Sequence, residues 1–387
     1  MDFELSDELQ AVRDTARDFA AQKIAPFADQ WDREHYFPYH EVIKPMADLG
    51  FFGTVIPEQY GGNNMGWLAA MILTEEIARA SSSLRVQFNM LTIGCAFPIL
   101  RYGTEELKRK YIPKLVKAEF VGGFAITEPS AGSDVMAMKS TAEDKGDHWL
   151  LNGSKTWISN AKIADVIICY AYTDRSAGGK GLSAFLVEPK NVNGVSTAEL
   201  DKLGSHSSPT GELTLQNTRV PKQNILGRSG DGAKILFSSL NQTRLSAAAG
   251  GVGVAQACLD AVTRYCNERK QFGQAIGQFQ MNQDMVAQMA TEIEAARLMV
   301  YKAAWQKDRG QLDNALEVAH AKYLAGEVAV KSAHYAMRIL GAYGYSTEYP
   351  VARYYRDVPT YVMVEGSANI CKWIIALDQL GYRKANR

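Results

Sequence analysis

Gly123-Phe124-Ala125-Ile126-Thr127-Glu128-Pro129-Ser130-Ala131-Gly132-Ser133-Asp134 is the stretch at which the chain changes character. On its N-terminal side the apolar residues recur at helical spacing. Leu9, Val12, Ala16, Phe19, Ile24 and Phe27 mark a helix over 6–34, with Ser6 as its N-cap. Further helical pattern covers 40–49, 66–80 and 104–118, the last opened by Thr104 ahead of Glu105 and Glu106. On its C-terminal side the pattern is that of strands. Trp149 to Trp157 reads as a hairpin with Asn152-Gly153 as its turn, and 166–172, 182–187 and 212–215 read as strands split by Gly, Asn, Ser and Pro. The stretch itself is turn-rich, and its hydroxyls and backbone N–H groups suit a polar ring or a phosphate.

Long helices return after Gly230-Asp231-Gly232, over about 232–268, 280–309 and 313–341, and a last one starts near Ser367. Met281, Met285, Met289, Ile293, Ala296 and Val300 form one stripe, read as core rather than as a cofactor box. The expected architecture is α+β and multidomain: an N-terminal α-helical domain over 1–121, a middle β-barrel-like domain over 122–228, and a C-terminal four-helix bundle over 229–387.

Composition excludes several classes of function. Lys and Arg total 42, balanced by 42 Asp and Glu, which argues against a nucleic-acid coat and against a polybasic membrane anchor. Cys95, Cys169, Cys258, Cys266 and Cys371 show no C-x-x-C pair, so a reducing, cytoplasmic setting fits better than a disulfide framework. The acidic start, Met1-Asp2-Phe3-Glu4, resembles neither a secretory nor a mitochondrial leader. No apolar run reaches the roughly 18 residues of a membrane span. Gly251-Val252-Gly253 lies inside a helical stretch and is read as a close helix contact, not as a nicotinamide loop. His35, His40, His148, His206, His320 and His334 lack ligand spacing, so no metal is expected.

Three more segments carry chemistry: Lys155-Thr156-Trp157-Ile158-Ser159-Asn160, Asn267-Glu268-Arg269-Lys270-Gln271-Phe272-Gly273, and Val364-Glu365-Gly366-Ser367-Ala368-Asn369. With the opening stretch, in this order across helices, strands and helices, they resemble the acyl-CoA dehydrogenase family of flavoproteins over nearly the whole chain. The resemblance implies FAD as cofactor, an acyl-CoA substrate, electron-transferring flavoprotein as acceptor, and a homotetramer. It implies that Phe124, Ile126 and Thr127 face the flavin ring, that Ser133 touches both flavin and thioester chain, and that Trp157, Ile158 and Ser159 lie beside the ring, Ser159 donating toward N5. Arg269, Phe272 and Gln280 would hold the pyrophosphate and adenosine of a neighbouring subunit's cofactor. Arg338, Leu340, Gly341 and Ala342, next to Ile339, match a further cofactor contact, with Ala342 where the family usually has Gly. Ser367 and Asn369 would touch FAD. Arg244 matches the arginine at the CoA end, where its fork suits phosphate.

Glu365 is the expected base. An α-hydrogen of a thioester is a weak acid, so its removal needs a carboxylate held close in a site emptied of water. The aliphatic run Tyr361-Val362-Met363-Val364 is expected to enclose that carboxylate. By resemblance, the backbone N–H of Glu365 and a flavin hydroxyl hold the thioester carbonyl, and Gly366 permits the close approach.

One residue bears on the acyl chain. Arg85 stands eighteen positions before Gly103, where glutaryl-CoA dehydrogenases also carry arginine and straight-chain relatives are apolar. A buried arginine wants an anion, which a distal carboxylate supplies. Decarboxylating members usually carry Tyr before the base, Glu seven residues before the arginine and Ser after it. Here these positions hold Val364, Ala78 and Val86. The expectation is glutaryl-CoA to glutaconyl-CoA without loss of carbon dioxide. The alternatives are the decarboxylating reaction, another acidic or cyclic acyl-CoA such as a benzylsuccinyl or cyclohexane carboxyl thioester, and a non-catalytic flavin-binding scaffold. An oxidase is disfavoured, since oxidases commonly add a long C-terminal domain.

Overall fold

The computed structural model describes residues 4–382. Met1 to Phe3, on which the reading of the chain's start partly rests, lie outside them. The first region is helical. It contains α1 (Asp7–Lys23), α2 (Ala28–Glu34), α3 (Lys44–Asp48), α4 (Trp67–Ala80), α5 (Ser82–Phe88), a π-helix (Asn89–Ala96), α6 (Phe97–Tyr102) and α7 (Glu105–Val116). The single helix expected over 6–34 is broken at Ile24–Phe27. The run from Ser82 to Tyr102, which carried no clear periodicity because it is buried on nearly every side, is helical throughout. No residue of the chain start of α4 caps it. Asp308, far away in sequence, accepts from the backbone N–H of Trp67 (2.6 Å) and Leu68 (3.0 Å).

The middle region is a sheet of β1 (Gly122–Ala125), β2 (Thr141–Asp144), β3 (His148–Ser159), β4 (Val166–Tyr172), β5 (Leu182–Val187), β6 (Val195–Glu199), β7 (Thr210–Pro221) and β8 (Ile225–Leu226). Its order is β6-β7-β3-β2-β4-β5-β8, and β1 pairs in parallel with β4. The expected Asn152-Gly153 turn is not a turn. Both residues lie inside β3, at a register shift between Leu151↔Thr218 and Gly153↔Leu215. The chain reverses at Lys145–Asp147, where Gly146 has φ 90° and its N–H donates to Asp144 Oδ1 at 2.9 Å. A glycine at a bulge and a glycine in a turn read alike in sequence. Here Gly153 is required because a Cβ would lie 2.0 Å from Ser140 Oγ.

The last region contains α8 (Gly232–Glu268), a short hairpin β9 (Lys270–Gln271) and β10 (Gln274–Ala275), then α9 (Gln280–Asp308), α10 (Ala315–Leu340), α11 (Val351–Asp357), α12 (Thr360–Met363) and α13 (Ala368–Gln379). By length and apolar content α8 would suffice to cross a membrane, which the sequence reading did not register. It is instead the core helix, enclosed by α4, α9 and α10. The stripe on α9 is buried from Met289 to Val300 and emerges at Met281.

The glycines of α8 set its approach to its neighbours. A Cβ on Gly253 would lie 2.2 Å from the Glu75 carbonyl and 2.9 Å from Ala78 Cβ on α4, and one on Gly251 would lie 3.0 Å from the Ala325 carbonyl on α10. Gly253→Ala is therefore expected to force α4 and α8 apart and to cost about 1–3 kcal/mol. The check is the urea midpoint, which should fall. An unchanged midpoint would mean that this contact yields freely.

Candidate active site

Glu365 lies between α12 and α13, in left-handed backbone conformation (φ 56°), and Gly366 follows with φ 85°. Such a conformation costs a non-glycine residue about 1–3 kcal/mol and persists only where the surroundings enforce it. Two cations from the core helices do so. Arg244 of α8 donates from Nε to the Glu365 backbone carbonyl at 2.8 Å. Lys322 of α10 donates from Nζ to the carbonyls of Tyr361 (2.5 Å) and Gly366 (3.5 Å), so it grips both ends of the loop. Burial, with help from nearby Arg244 and Arg85, pushes the Lys322 ammonium down to about 8, and burial also lowers Arg244 from its ordinary value.

The carboxylate has a polar cradle. Thr243 Oγ1 donates to Oε2 at 2.5 Å, and Asn89 Nδ2 donates to Oε1 at 3.3 Å. The expected aliphatic enclosure is absent: Tyr361 is buried, but α12 turns Met363 and Val364 outward, and Glu365 itself is half-buried. Neither Thr243 nor Asn89 stood out as a site residue in sequence. The available signals were adjacency, Thr243 beside Arg244, and spacing, Asn89 one helical turn after Arg85. Arg244, expected at the CoA end, is buried and spends its Nε on the base loop.

Arg85 projects from α5, which Ser81 caps by accepting from the Leu84 N–H. It is 3% exposed, its Nε has no hydrogen-bond partner, and its guanidinium stacks 5.1 Å from the centre of the Tyr361 ring. The Tyr361 hydroxyl lies 2.9 Å from Ser82 Oγ, so this ring ties the Arg85 turn to the loop that Lys322 holds. Gly250 of α8 abuts Arg85 just as Gly253, one turn on, abuts Ala78. Positions 78 and 85 therefore lie side by side along α8.

The other wall comes from the sheet. Thr127 and β3 are joined by the Thr156 N–H donating to the Thr127 carbonyl at 2.9 Å. At a register shift between Lys155 and Ile158, Trp157 adopts φ 61° and leaves its indole 58% exposed, beside half-buried Ser159 and buried Ile158. Beneath them Lys155 and Glu128 form a buried ion pair at 2.7 Å. Burial alone would raise the Glu128 carboxyl, but Lys155, Ser140 and the Lys139 N–H hold it below the usual carboxylate range. Asn160 exchanges two hydrogen bonds with Gln87 of α5, at 2.7 and 2.9 Å. Phe124 of β1 packs on Gly94 of the π-helix. An exposed indole in left-handed backbone conformation, with half-buried Thr127 and Ser159 on the adjoining backbone, is a fitting wall for a planar, hydrogen-bonding ring.

A third group stands apart. Arg269 stacks on Tyr343 (5.7 Å), which touches Tyr265 and Tyr349. Gly341 (φ 60°), Ala342 and Arg338 are exposed at the end of α10, whereas Leu340 is buried. Phe272 is 94% exposed with φ 51°, and Gln280 is exposed at the start of α9. Arg244 and Arg269 bracket twenty-five positions of one helix, about 37 Å at the usual rise. Ser133 lies on an exposed loop, Asn369 is exposed, and Ser367 caps α13 by accepting from the Ile370 N–H.

Comparison with known proteins agrees with this arrangement. Residues 6–119, 123–218 and 230–379 match the models for the N-terminal, middle and C-terminal domains of acyl-CoA dehydrogenases. The chain is 72% identical to glutaryl-CoA dehydrogenase of Desulfococcus multivorans, with 100% of each chain covered. It is 41% identical to the mitochondrial isovaleryl-CoA dehydrogenase of Solanum tuberosum, covering 96% of this chain and 90% of that one. Among solved structures, a glutaryl-coenzyme A dehydrogenase in complex with glutaryl-CoA superposes with a TM-score of 0.99 at 72% identity, covering 100% and 98%. Butyryl-CoA dehydrogenase of Megasphaera elsdenii superposes with 0.95 at 36% identity, covering 98% and 100%. FAD is the cofactor that this fold carries, and the Trp157 wall fits its ring. The chain is an FAD-dependent member of the acyl-CoA dehydrogenase family.

Proposed function

We propose that the enzyme converts glutaryl-CoA to glutaconyl-CoA and keeps the distal carboxylate. The observation that carries this reading is Arg85: a buried guanidinium whose Nε lacks a partner, set on the turn that faces the base loop. A buried cation without a counter-ion is costly, and a substrate carboxylate is the counter-ion such a position selects. The relative and the solved complex that share 72% identity bear the same substrate's name, which supports the assignment.

FAD, when bound, supplies the hydride acceptor. The chain's own residues do the rest. Glu365 takes the α-proton, held at the correct angle by Thr243 and the Arg244 bond to its carbonyl. Its backbone N–H is the donor we assign to the thioester oxygen, where negative charge develops. Arg85 fixes the far end of the acyl chain.

Loss of carbon dioxide would leave a dienolate that must be protonated at its far carbon. Val364 and Ala78 offer no proton, and Ala78 is sealed against Gly253. We assign Ser133 and the free guanidinium nitrogens of Arg244 to the CoA chain. Arg244, beside Glu365, and Arg269 stand about 37 Å apart along α8, a separation that supports a cofactor shared between subunits of a homotetramer. Arg269, Phe272, Gln280, Arg338, Gly341 and Ala342 would then serve the neighbour's FAD. Electron-transferring flavoprotein as acceptor and a cytoplasmic location belong to the same reading.

Product analysis tests it directly. With an artificial acceptor, glutaryl-CoA should give glutaconyl-CoA, and crotonyl-CoA with carbon dioxide would overturn the non-decarboxylating assignment. Arg85→Ala should raise KM for glutaryl-CoA roughly tenfold to a hundredfold, the worth of a charged hydrogen bond, and leave butyryl-CoA within a few-fold. Equal losses on both thioesters would remove Arg85 from substrate selection.

A further inference from the structure

Asn89 has no part in the reading so far beyond one long hydrogen bond, yet its position is constrained from every side. It is the first residue of the π-helix and 1% exposed. Its own N–H donates to the carbonyls of Arg85 and Val86. A π-turn is a costly irregularity that recurs where function needs a side chain re-aimed. Here that turn delivers an amide to the catalytic carboxylate. Nδ2 lies 3.3 Å from Glu365 Oε1, while Oδ1 is buried with no hydrogen-bond partner. An orphaned buried carbonyl beside a reacting group requires an explanation.

The two oxygens of Glu365 are not equivalent. Oε2 receives a short bond from Thr243, 2.5 Å, and Oε1 only the long one from Asn89. The weaker-bonded oxygen is the better proton acceptor. We infer that Asn89 is a positioning residue for the base, its amide serving both protonation states: the NH2 donates to Oε1 of the carboxylate, and the carbonyl accepts from the O–H formed there. The inference rests on Glu365 acting as the base and holds for any acyl chain.

The chemistry balances. The α C–H bond breaks, its proton bonds to Oε1, and its electron pair enters the thioester enolate. The β-hydride goes to FAD, the oxidant of the established reaction. A carboxylate only accepts hydrogen bonds, whereas the acid it becomes has one O–H to donate. Thr243 remains bonded to Oε2, so the new donor faces Asn89. Half a turn of the planar amide exchanges NH2 for the carbonyl that lacks a partner. The charged and titratable groups around Glu365 lie elsewhere: Arg244 on its own carbonyl from α8, Lys322 and Cys371 on the Gly366 carbonyl from α10 and α13, and Arg85 from α5. Asn89 is thus the neutral group at the oxygen that receives the α-proton.

Two near-isosteric variants test this, with FAD absorbance and thermal melting confirming that each folds. Asn89→Leu can serve neither protonation state. Asn89→Asp keeps the shape but places a second carboxylate at Oε1. Anaerobic flavin bleaching is followed with butyryl-CoA and glutaryl-CoA across pH. The limiting rate of Asn89→Leu should fall roughly tenfold to a hundredfold on both thioesters, with substrate affinity within about threefold. The acid limb of the Asn89→Asp profile should move to higher pH by about one unit or more, as like charges require. A limiting rate for Asn89→Leu equal to wild type, or a loss confined to affinity, overturns the proposal, as does an Asn89→Asp profile that overlays wild type. Should Asn89→Leu fail to load FAD, the pH profile of Asn89→Asp decides alone. Complete inactivity would instead be the mark of losing the base itself, so failure of the two ideas is separable.

Discussion

Glu365, the proposed base, would not choose its own backbone conformation. The bond from Arg244 to the Glu365 carbonyl, with Lys322 bonded to the carbonyls on either side, holds a left-handed glutamate where an unassisted chain would relax. A hydrogen bond from a charged donor contributes about 1.5–3 kcal/mol, enough to offset the strain. Both cations come from the middle of long core helices, α8 and α10, so the precision of the base derives from the rigidity of the bundle. The glycines of α8 allow that bundle to close, and the same closeness sets Arg85 and Ala78 in a row along it.

The segment from α5 through the π-helix is the second constraint. In eleven positions it delivers Arg85 onto the Tyr361 ring, Gln87 to Asn160 just beyond β3, Asn89 to Glu365, Gly94 to Phe124, and Cys95, whose thiol donates to the Gly123 carbonyl at 3.0 Å. The three proposed participants in the reaction (Arg85 as anion anchor, Glu365 as base and the Trp157 wall) are thus referenced to one stretch of backbone. On that proposal, selection of a dicarboxylic substrate and orientation of the base are mechanically linked there.

Much of this was legible in the sequence. The order of helices, strands and helices followed from periodicity, α8 to α10 within a few residues of their observed ends and α13 at its start. The motif segments singled out Trp157 and Glu365, and both stand in left-handed backbone conformation in the structure. What was not legible has physical causes. Asn152-Gly153 has the composition of a turn and serves as a bulge, since both need a glycine's freedom and only the partner strand decides. The run from Ser82 to Tyr102 has almost no exposed face, so its polar and apolar residues do not segregate and it shows no period. Glu365 was expected in an apolar pocket because Tyr361 to Val364 are apolar, but α12 rotates Met363 and Val364 outward. Thr243 and Asn89 lie 122 and 276 positions from the base they touch, and no local pattern records such a contact.

The central claim is that one carboxylate, on Glu365, removes the α-proton. Glu365→Gln keeps the side-chain shape while removing the base: its amide oxygen still accepts at one of the two contacts, and its NH2 donates at the other, to the Thr243 hydroxyl or to Asn89 Oδ1. Anaerobic mixing of that variant, fully loaded with FAD, with saturating glutaryl-CoA is the decisive measurement. Binding should persist and flavin bleaching should fall by roughly a hundredfold or more. Bleaching at the wild-type rate would contradict the assignment.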